Sequence, residues 1–470
     1  MSQSAPSAPG RRSTRRGRRI NLTTLLAVVL PVLCALALLL VEPSGTTETS
    51  AAPTLTALSR ATVVCPSAMD GSSDVAITSA AEDVRGPVRV GLGSDSDEAD
   101  VASGEVTTVD GGTGPVAVSG EDDTAPGLLA ARFGADAQAV ASCLAPAPLA
   151  WFTGVGAGAG HTSVLELTNP DSGTAVADVT VYGRHGVVDA PRLRGISVPG
   201  GNSVQLDLAS IVPRRDELAL EVVAARGRIG ANVLDQYDPL GSGKTTQDWL
   251  PAQTEPSTSN LLMGLPAGAD ARRTLVVANG GPDEVRASVQ VVTERSVFTP
   301  KDVPDIRIPP ESTAKLKVSG PLARLLGDGV SGLLVTGTEP VTASLRSYVD
   351  ADLSHTAPDR AVDGPATVLL PGGDRSPTRT LQLAGAEHVG VVDVVSRNDS
   401  GEELDTARVD VTPDHGVSVK LPAGATLVTV TPSRTAVSGA ILVAGRGAAV
   451  VPLTTPDVNG LVPSVRPGLP

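Results

Sequence analysis

Hydrophobic and polar residues alternate along most of this chain, and the pattern recurs in three similar blocks. The blocks open with the apolar runs 164–169, 274–279 and 380–384, and an alternating run and two hairpins follow in each. Period-two alternation over short runs predicts strands that bury one face, and the Gly, Pro, Asn and Asp residues between the runs predict turns. The chain is therefore predicted to be mainly β, with helical periodicity after residue 41 confined to 126–144 and 322–326.

Equivalent residues of the first two blocks are 110 positions apart, as for Asn169 and Asn279 or Ile196 and Ile306. Six or seven short strands in about 100 residues are typical of a two-sheet sandwich. Each block is therefore predicted to be one Ig-like β-sandwich. The predicted tandem array comprises an N-terminal β-rich region and three repeats: 62–150, 151–257, 258–366 and 367–470.

One apolar run differs from the others because it is long and uncharged. Residues 20–41 contain no charged side chain, and they are preceded by arginines and no acidic residue: Arg11, Arg12, Arg15, Arg16, Arg18 and Arg19. About 20 apolar residues can cross a bilayer as a helix, and flanking positive charge marks the cytoplasmic side. The sequence predicts a single transmembrane helix at 20–41, a cytoplasmic tail at 1–19, a flexible stalk at 42–61 and an extracytoplasmic remainder.

A cleaved signal peptide is the alternative for this segment. Signal peptides have an apolar region of about 7–15 residues that ends at a cleavage site between small residues. Here the run is longer and ends in Leu-Leu-Leu-Val-Glu-Pro. An uncleaved signal-anchor in the cell membrane is therefore favoured.

The charge balance argues against polyanionic partners. The net charge is −14 although the N-terminal arginines add six positive charges, so the predicted extracytoplasmic part is strongly acidic. Simple electrostatics then disfavours nucleic acid and anionic lipid headgroups as ligands. An aromatic content of 2% leaves few rings on which sugars could stack.

The chain has three cysteines, one of which, Cys34, lies in the predicted span. Cys65 and Cys143 are both in the predicted extracytoplasmic part, where oxidising conditions permit a disulfide. We therefore predict a Cys65–Cys143 bridge; two separate free thiols are the alternative.

No pattern predicts catalytic, cofactor-binding or metal-binding residues. The segment 241–246, GSGKTT, lacks the first glycine of a phosphate loop, since Asp238 stands there, so an exposed interdomain loop and no nucleotide site are predicted. The five histidines have no zinc-ligand spacing. The acidic segment 94–100 lacks the glycine and the glutamate of a calcium loop and predicts a solvated turn.

Trp151 and Phe152 form the one aromatic pair near a predicted domain boundary, beside the Gly-rich segment 154–160. One interpretation is a plug at the edge of a sandwich, and the other is a ligand contact. The plug is favoured.

Several short motifs carry a resemblance to a known family. They are Trp151, the L-x-L-x-N-P run that ends at Asn169, V-x-V-Y-G at 179–183, V-P-G-G at 198–201 and G-A-N-V at 230–233. The chain resembles an actinobacterial family of membrane-anchored extracytoplasmic proteins of unknown function with repeated β-rich domains. The resemblance implies no known catalytic residues.

These patterns lead to an expected function. We expect no enzyme but a membrane-tethered binding or scaffold protein of the bacterial cell envelope, whose partners are envelope proteins or wall glycan. The alternative is an envelope hydrolase that acts on cell-wall polymer. A hydrolase needs clustered carboxylates at a sandwich edge.

Overall fold

The computed structural model describes residues 29–33, 36, 53–69, 71–135, 139–241, 244–358, 360–372 and 377–462. The predicted tail and most of the predicted transmembrane helix lie outside these residues; residues 29–33 within that helix are helical and exposed. Among the helices of the described ranges, none is long and apolar enough to cross a membrane. The location of the chain stays a prediction.

The described chain is mainly β, as predicted. Strand β1 (Thr54–Ala57) lies in the predicted stalk and precedes an N-terminal unit. That unit contains β2 (Arg60–Cys65), β3 (Asp74–Ser79), β4 (Arg85–Leu92), β5 (Asp95–Ala102), β6 (Thr107–Asp110), β7 (Val116–Glu121), β8 (Leu128–Phe133) and β9 (Val140–Ser142).

Repeat 1 contains nine strands and a short helix, Leu208–Ile211. The strands are β10 (Leu149–Gly158), β11 (His161–Asn169), β12 (Ala175–Gly183), β13 (Gly186–Val188), β14 (Ile196–Val198), β15 (Asn202–Asp207), β16 (Arg215–Arg226), β17 (Gly230–Tyr237) and β18 (Thr246–Leu250).

Repeat 2 contains a longer helix, Gly320–Asp328, which covers the predicted helical segment 322–326. Its strands are β19 (Ser257–Met263), β20 (Arg272–Asn279), β21 (Val285–Val292), β22 (Val297–Phe298), β23 (Ile306–Ile308), β24 (Ser312–Lys317), β25 (Gly332–Val349) and β26 (Asp352–Thr356).

Repeat 3 has eight strands, and a final strand, β35 (Asn459–Val462), pairs with β1. The eight are β27 (Ala366–Leu369), β28 (Thr378–Ala384), β29 (Gly390–Arg397), β30 (Glu403–Val411), β31 (Val417–Leu421), β32 (Leu427–Ser433), β33 (Ser438–Ala444) and β34 (Ala448–Pro452).

All four units share one strand order. In each unit the first, sixth, third and fourth strands form one antiparallel layer, and the fifth, second, seventh and eighth form the other. In repeat 1 the pairing of β10 with β11 joins the two layers into one continuous sheet, and in repeat 2 strand β25 does so. The N-terminal unit follows this order as β2-β7-β4-β5 and β6-β3-β8-β9, and repeat 3 as β27-β32-β29-β30 and β31-β28-β33-β34. In repeats 1 and 2 two short strands occupy the fourth position, and in repeat 2 the continuous strand β25 fills the sixth and seventh. The N-terminal unit is thus a fourth copy of the architecture.

Two local predictions for the N-terminal unit are wrong. The segment 94–100 is largely strand, because β5 begins at Asp95 and pairs with β4 on one side only. An edge strand keeps most side chains in water, so its acidic residues need no partners, and they also discourage pairing with other chains. The described part of 126–144 forms strands β8 and β9 where helical periodicity was noted.

Each unit has its own core between its two layers of strands. The core of the N-terminal unit includes Val63, Ile77, Val90 and Leu128. The predicted bridge is confirmed there, since Cys65 and Cys143 form a disulfide with an S–S distance of 1.98 Å. The bridge joins the end of β2 in one sheet to the segment after β9 in the other.

The four units contact one another in a closed cycle. Their eighth strands, β9, β18, β26 and β34, each touch the eighth strands of two neighbours, so that repeat 3 returns to the N-terminal unit. Small residues allow this approach, as where Ala139 and Ala141 pack on Trp249. Residues 55–461 accordingly form one compact body.

Candidate functional site

The junction of repeats 1 and 2 concentrates buried ionisable side chains. Each of the following is at most 9% exposed: His161 on β11, Glu217 on β16, Asp235 on β17, Asp248 on β18, Arg346 on β25, and Asp352 and His355 on β26. Burial of a charge is costly unless a partner compensates it. The contacts of these seven residues therefore decide what the junction can do.

Asp235 is the centre of the network and has no exposed surface. Its carboxylate lies 2.9 Å from His161 Nε2 and 2.9 Å from His355 Nε2, and it accepts a hydrogen bond from Ser163 Oγ. Burial alone would raise the pKa of Asp235, but its interactions with His161 and His355 outweigh burial and hold the pKa well below its usual value. Asp235 is therefore a buried carboxylate that joins the two repeats.

Arg346 sets the tautomer of His161. Its Nη1 lies 2.6 Å from His161 Nδ1 and 3.0 Å from Nε2. Arginine can only donate, so the closer ring nitrogen, Nδ1, must accept and Nε2 must carry the proton that it donates to Asp235.

His355 completes the triad from repeat 2. Burial is the main cause that lowers its pKa, and the interaction with Asp235 opposes it only in part. The ring is therefore neutral and donates from Nε2, while its buried Nδ1 has no hydrogen-bond partner among the described residues.

A second charge pair crosses the same junction. Arg346 Nη2 donates to Glu217 Oε1 at 3.1 Å, and Lys315 Nζ lies 3.7 Å from the same oxygen. The Arg346 guanidinium also lies 5.3 Å from the centroid of the Tyr237 ring. Glu217 thus faces two cations, both of which come from repeat 2.

Two further carboxylates extend the network toward repeat 3. Asp248 accepts a hydrogen bond from the backbone N–H of His355 at 2.9 Å, and Asp352 accepts one from the backbone N–H of Ala448 at 2.9 Å. Burial raises the pKa of both groups, and the nearby Asp352 raises that of Asp248 further. Both contacts bind backbone of the next repeat.

The backbones approach closely beside this network. Gly154 on β10 has φ +93°, and a Cβ there would lie 2.7 Å from Ser344 Oγ of repeat 2. Ser344 Oγ donates to the Thr153 carbonyl at 2.5 Å. Gly154 is therefore required by both its backbone conformation and the contact.

The aromatic pair also lies at or beside this junction. Trp151 is 3% exposed, stacks on Tyr182 with ring centroids 5.2 Å apart, and packs with Ala278 of repeat 2. Phe152 belongs to the core of repeat 1. Trp151 packs at the interface between two repeats, and neither ring lines the two large clefts between repeats among the described residues.

A cleft of about 480 Å³ lies between repeats 2 and 3 and is also lined by residues 253–255 of repeat 1. A second cleft of about 530 Å³ opens between repeats 1 and 2, next to the buried network. His161, Glu217 and Arg346 line the second cleft. The other charged residues that line this cleft divide by repeat. Repeat 2 contributes the cations Arg272, Arg273, Lys315 and Lys317, and repeat 1 contributes the acids Asp216 and Asp238.

The other sequence candidates lie apart from this network or at its margin. The segment 241–246, of which residues 242 and 243 lie outside the described residues, stands between the antiparallel strands β17 and β18 and ends at the first residue of β18, whereas a phosphate loop joins a strand to a helix. His185, His388 and His415 are exposed and do not join His161 and His355. In the described ranges, no group of three or more His, Cys, Asp or Glu side chains could hold a metal ion.

One sequence signal could have located the network. The second strand carries a buried arginine in repeats 2 and 3, Arg273 and Arg379, which pair with Ser347 and Val443. Each donates to a proline carbonyl of its own repeat at 2.6 Å. Repeat 1 has Ser163 at this position, opposite Asp235. The buried carboxylate of Asp235 thus lies opposite the one position of the second strand at which repeat 1 lacks the arginine of repeats 2 and 3.

Comparison with known protein families gives a match over more than half of the chain. Residues 134–422 match a family described only as a family of unknown function (DUF5719), and the match includes the whole junction of repeats 1 and 2. No curated protein matches the chain.

Proposed function

The chain belongs to this family of unknown function, and we propose that it is a non-catalytic binding or scaffold protein of the bacterial cell envelope. In this proposal residues 20–41 tether it to the membrane, residues 1–19 are cytoplasmic, and the four units lie outside. We further assign the units to the Ig-like β-sandwich class, because each packs two layers of antiparallel strands around one core.

The closed cycle of four units is the observation that carries this proposal. The junctions use buried polar contacts as well as small apolar residues, so neighbouring units hold one orientation. Clefts between units, such as the two of about 480 and 530 Å³, are where ligands commonly bind. A rigid body with such clefts suits a protein that positions other envelope components.

The disulfide supports an extracytoplasmic location. Bridges such as Cys65–Cys143 persist in oxidising compartments and are rare in the cytosol.

An envelope hydrolase is the second candidate, and His161 and Glu217 at the cleft are the observation that favours it. Both could transfer protons in principle. However, Arg346 binds both side chains in the present arrangement, which favours a structural role for them.

The experiment is crosslinking of the tagged full-length protein in membranes, followed by identification of the captured molecules. The matched control carries residues 1–61 fused to an unrelated folded domain. We expect envelope proteins or wall glycan to be captured by the full chain and not by the control. Equal capture by both would contradict the proposal, and release of soluble wall fragments by the purified chain would favour the hydrolase.

A further inference from the structure

We propose that the cleft between repeats 1 and 2 binds an anionic glycan, that is, a saccharide polymer that carries phosphate or carboxylate groups. The inference rests on the proposed binding function and names its ligand class. The cleft is defined here by His161, Tyr237, Arg272, Lys315, Lys317 and Arg346.

The size of the cleft suits a short stretch of polymer. Its volume of about 530 Å³ lies within the range of about 300–1,000 Å³ that is typical of ligand sites. It lies between two repeats whose orientation is fixed by the buried contacts of Arg346 with Glu217 and His161. A ligand would therefore meet a largely preformed surface.

The charge at the cleft is opposite to that of the chain. The lining has five arginine and lysine side chains and three acidic ones, whereas the whole protein carries −14. Glu217 is already offset by Arg346 at 3.1 Å and by Lys315 at 3.7 Å. A locally positive, walled surface concentrates anions even on an acidic protein. The overall charge, which argued against polyanions, thus does not describe this cleft.

Two of the few lysines in this chain lie at the cleft. The sequence has five lysines, and Lys315 and Lys317 are both exposed on β24, two positions apart and so on one face. Lys315 is 42% exposed at its side chain although it lies near Glu217. Both ammonium groups can therefore reach a ligand.

The ligand class follows from the groups beside these cations. A phosphate or carboxylate would pair with the ammonium groups, while the phenol of Tyr237 lines the same cleft and can bond a sugar hydroxyl. An acidic peptide offers the charge but not the hydroxyls, which makes a glycan the better match.

A protective role is the competing explanation for the lysines. Lysines on edge strands discourage pairing with other chains, and β24 is an edge strand. Repeat 3 has Lys420 on β31, at the same place in the strand order, and Lys301 is also exposed. Neither of these lines the cleft, so they provide a charge-matched control.

The test measures binding of polymers to the immobilised full-length protein in detergent. The probes are poly(glycerol phosphate), polygalacturonate, neutral dextran and poly(L-glutamate). We expect binding of one of the two charged glycans, no binding of dextran, and about tenfold weaker binding by Lys315→Gln with Lys317→Gln. Lys301→Gln with Lys420→Gln, which removes the same charge, should bind like the unchanged protein.

The two charged glycans distinguish phosphate from carboxylate as the recognised group. Three results would overturn the inference. Binding could fall equally in both double variants, or the unchanged protein could bind neither charged glycan. Poly(L-glutamate) could also bind more tightly than both charged glycans. If the first double variant is unstable, Lys317→Gln alone replaces it, since Lys317 is not part of the Glu217 contact. Envelope partners captured despite a failed glycan test would leave the proposed function standing and remove only this site.

Discussion

Arg346 of repeat 2 donates a hydrogen bond from Nη1 to Nδ1 of His161 in repeat 1, at a distance of 2.6 Å. Through this contact a residue of one repeat fixes the tautomer of a histidine in another. It leaves His161 Nε2 to donate to Asp235, which in turn binds His355 of repeat 2. The chain of contacts therefore crosses the junction twice.

Removal of Arg346 should destabilise the body strongly. Arg346→Met leaves Glu217 buried with only Lys315 nearby and removes the partner of His161 Nδ1. The loss of one partner of a buried ion pair costs about 3–5 kcal/mol, whereas an exposed pair contributes about 0–1 kcal/mol. Arg194→Met, which breaks the exposed pair with Asp189, is the control. Chemical denaturation that gives both variants the same free energy of unfolding would contradict the account.

His355 should make stability depend on pH between 5 and 7. Its pKa is lowered from 6.5, mainly by burial, so below about pH 6.5 the unfolded chain binds a proton that the folded chain does not. Stability should therefore fall on acidification, by up to about 1.4 kcal/mol per pH unit. Asp248 and Asp352, whose pKa values are raised, act in the opposite direction.

The variant His355→Gln isolates this effect. A glutamine keeps a donor for Asp235 but does not titrate, and Asp248 and Asp352 remain in both proteins. The free energy of unfolding, measured at several pH values, should fall less on acidification in the variant. If the free energy of unfolding changed with pH equally in the variant and the unchanged protein, other groups would cause the pH dependence.

Loss of the disulfide should lower the stability of the N-terminal unit. Cys65 and Cys143 close a loop of 78 positions, for which chain entropy predicts a loss of about 4 kcal/mol in the double serine variant. Cys34→Ser serves as the control. Thermal unfolding should show the loss for the double variant only, and equal midpoints for both would refute it.

The repeated asparagines should contribute equally to their repeats. Asn169 Nδ2 donates to the Gly173 and Val198 carbonyls, and Asn279 Nδ2 donates to those of Asp283 and Pro309. Each alanine variant removes two hydrogen bonds made by a buried side chain and should cost about 1–3 kcal/mol. Asn398→Ala, at an exposed turn, should cost less. Denaturation midpoints compare the three variants.

The sequence predicted the strands of the three repeats because hydrophobic and polar residues alternate strongly in them. Asn169 and Asn279 occupy equivalent positions because repeats 1 and 2 contain the same loop. The sequence did not indicate that the N-terminal unit shares their strand order, since the edge strand β5 is mostly acidic and exposed and buries only Val101 and Ala102 at its end. The closed cycle was also not predictable. It depends on contacts between strands such as β9 and β34, whose small side chains carry no distinctive pattern.

The site was harder to predict than the fold. His161 and His355 are 194 positions apart and meet at Asp235 only because two repeats pack together. Ser163 was the one local sign, because repeats 2 and 3 have arginine at its position. The disulfide, in contrast, followed from the number of cysteines outside the predicted span.

The central claim is that the four units form a closed cycle and not an open row. Val106 of the N-terminal unit donates its N–H to the Asp399 carbonyl of repeat 3 at 2.8 Å. The neighbouring residues Glu105 and Ser400 are both exposed and suit crosslinking.

The most direct measurement is therefore disulfide trapping in a Cys34→Ser background with Glu105→Cys and Ser400→Cys. Mild oxidation should form an intramolecular bridge between the new cysteines, detected as a mobility shift of the monomer and by mass spectrometry. A control pair, Ser210→Cys with Ser400→Cys, should not form it. The closed cycle would be contradicted if the first pair remained reduced or gave only crosslinks between chains.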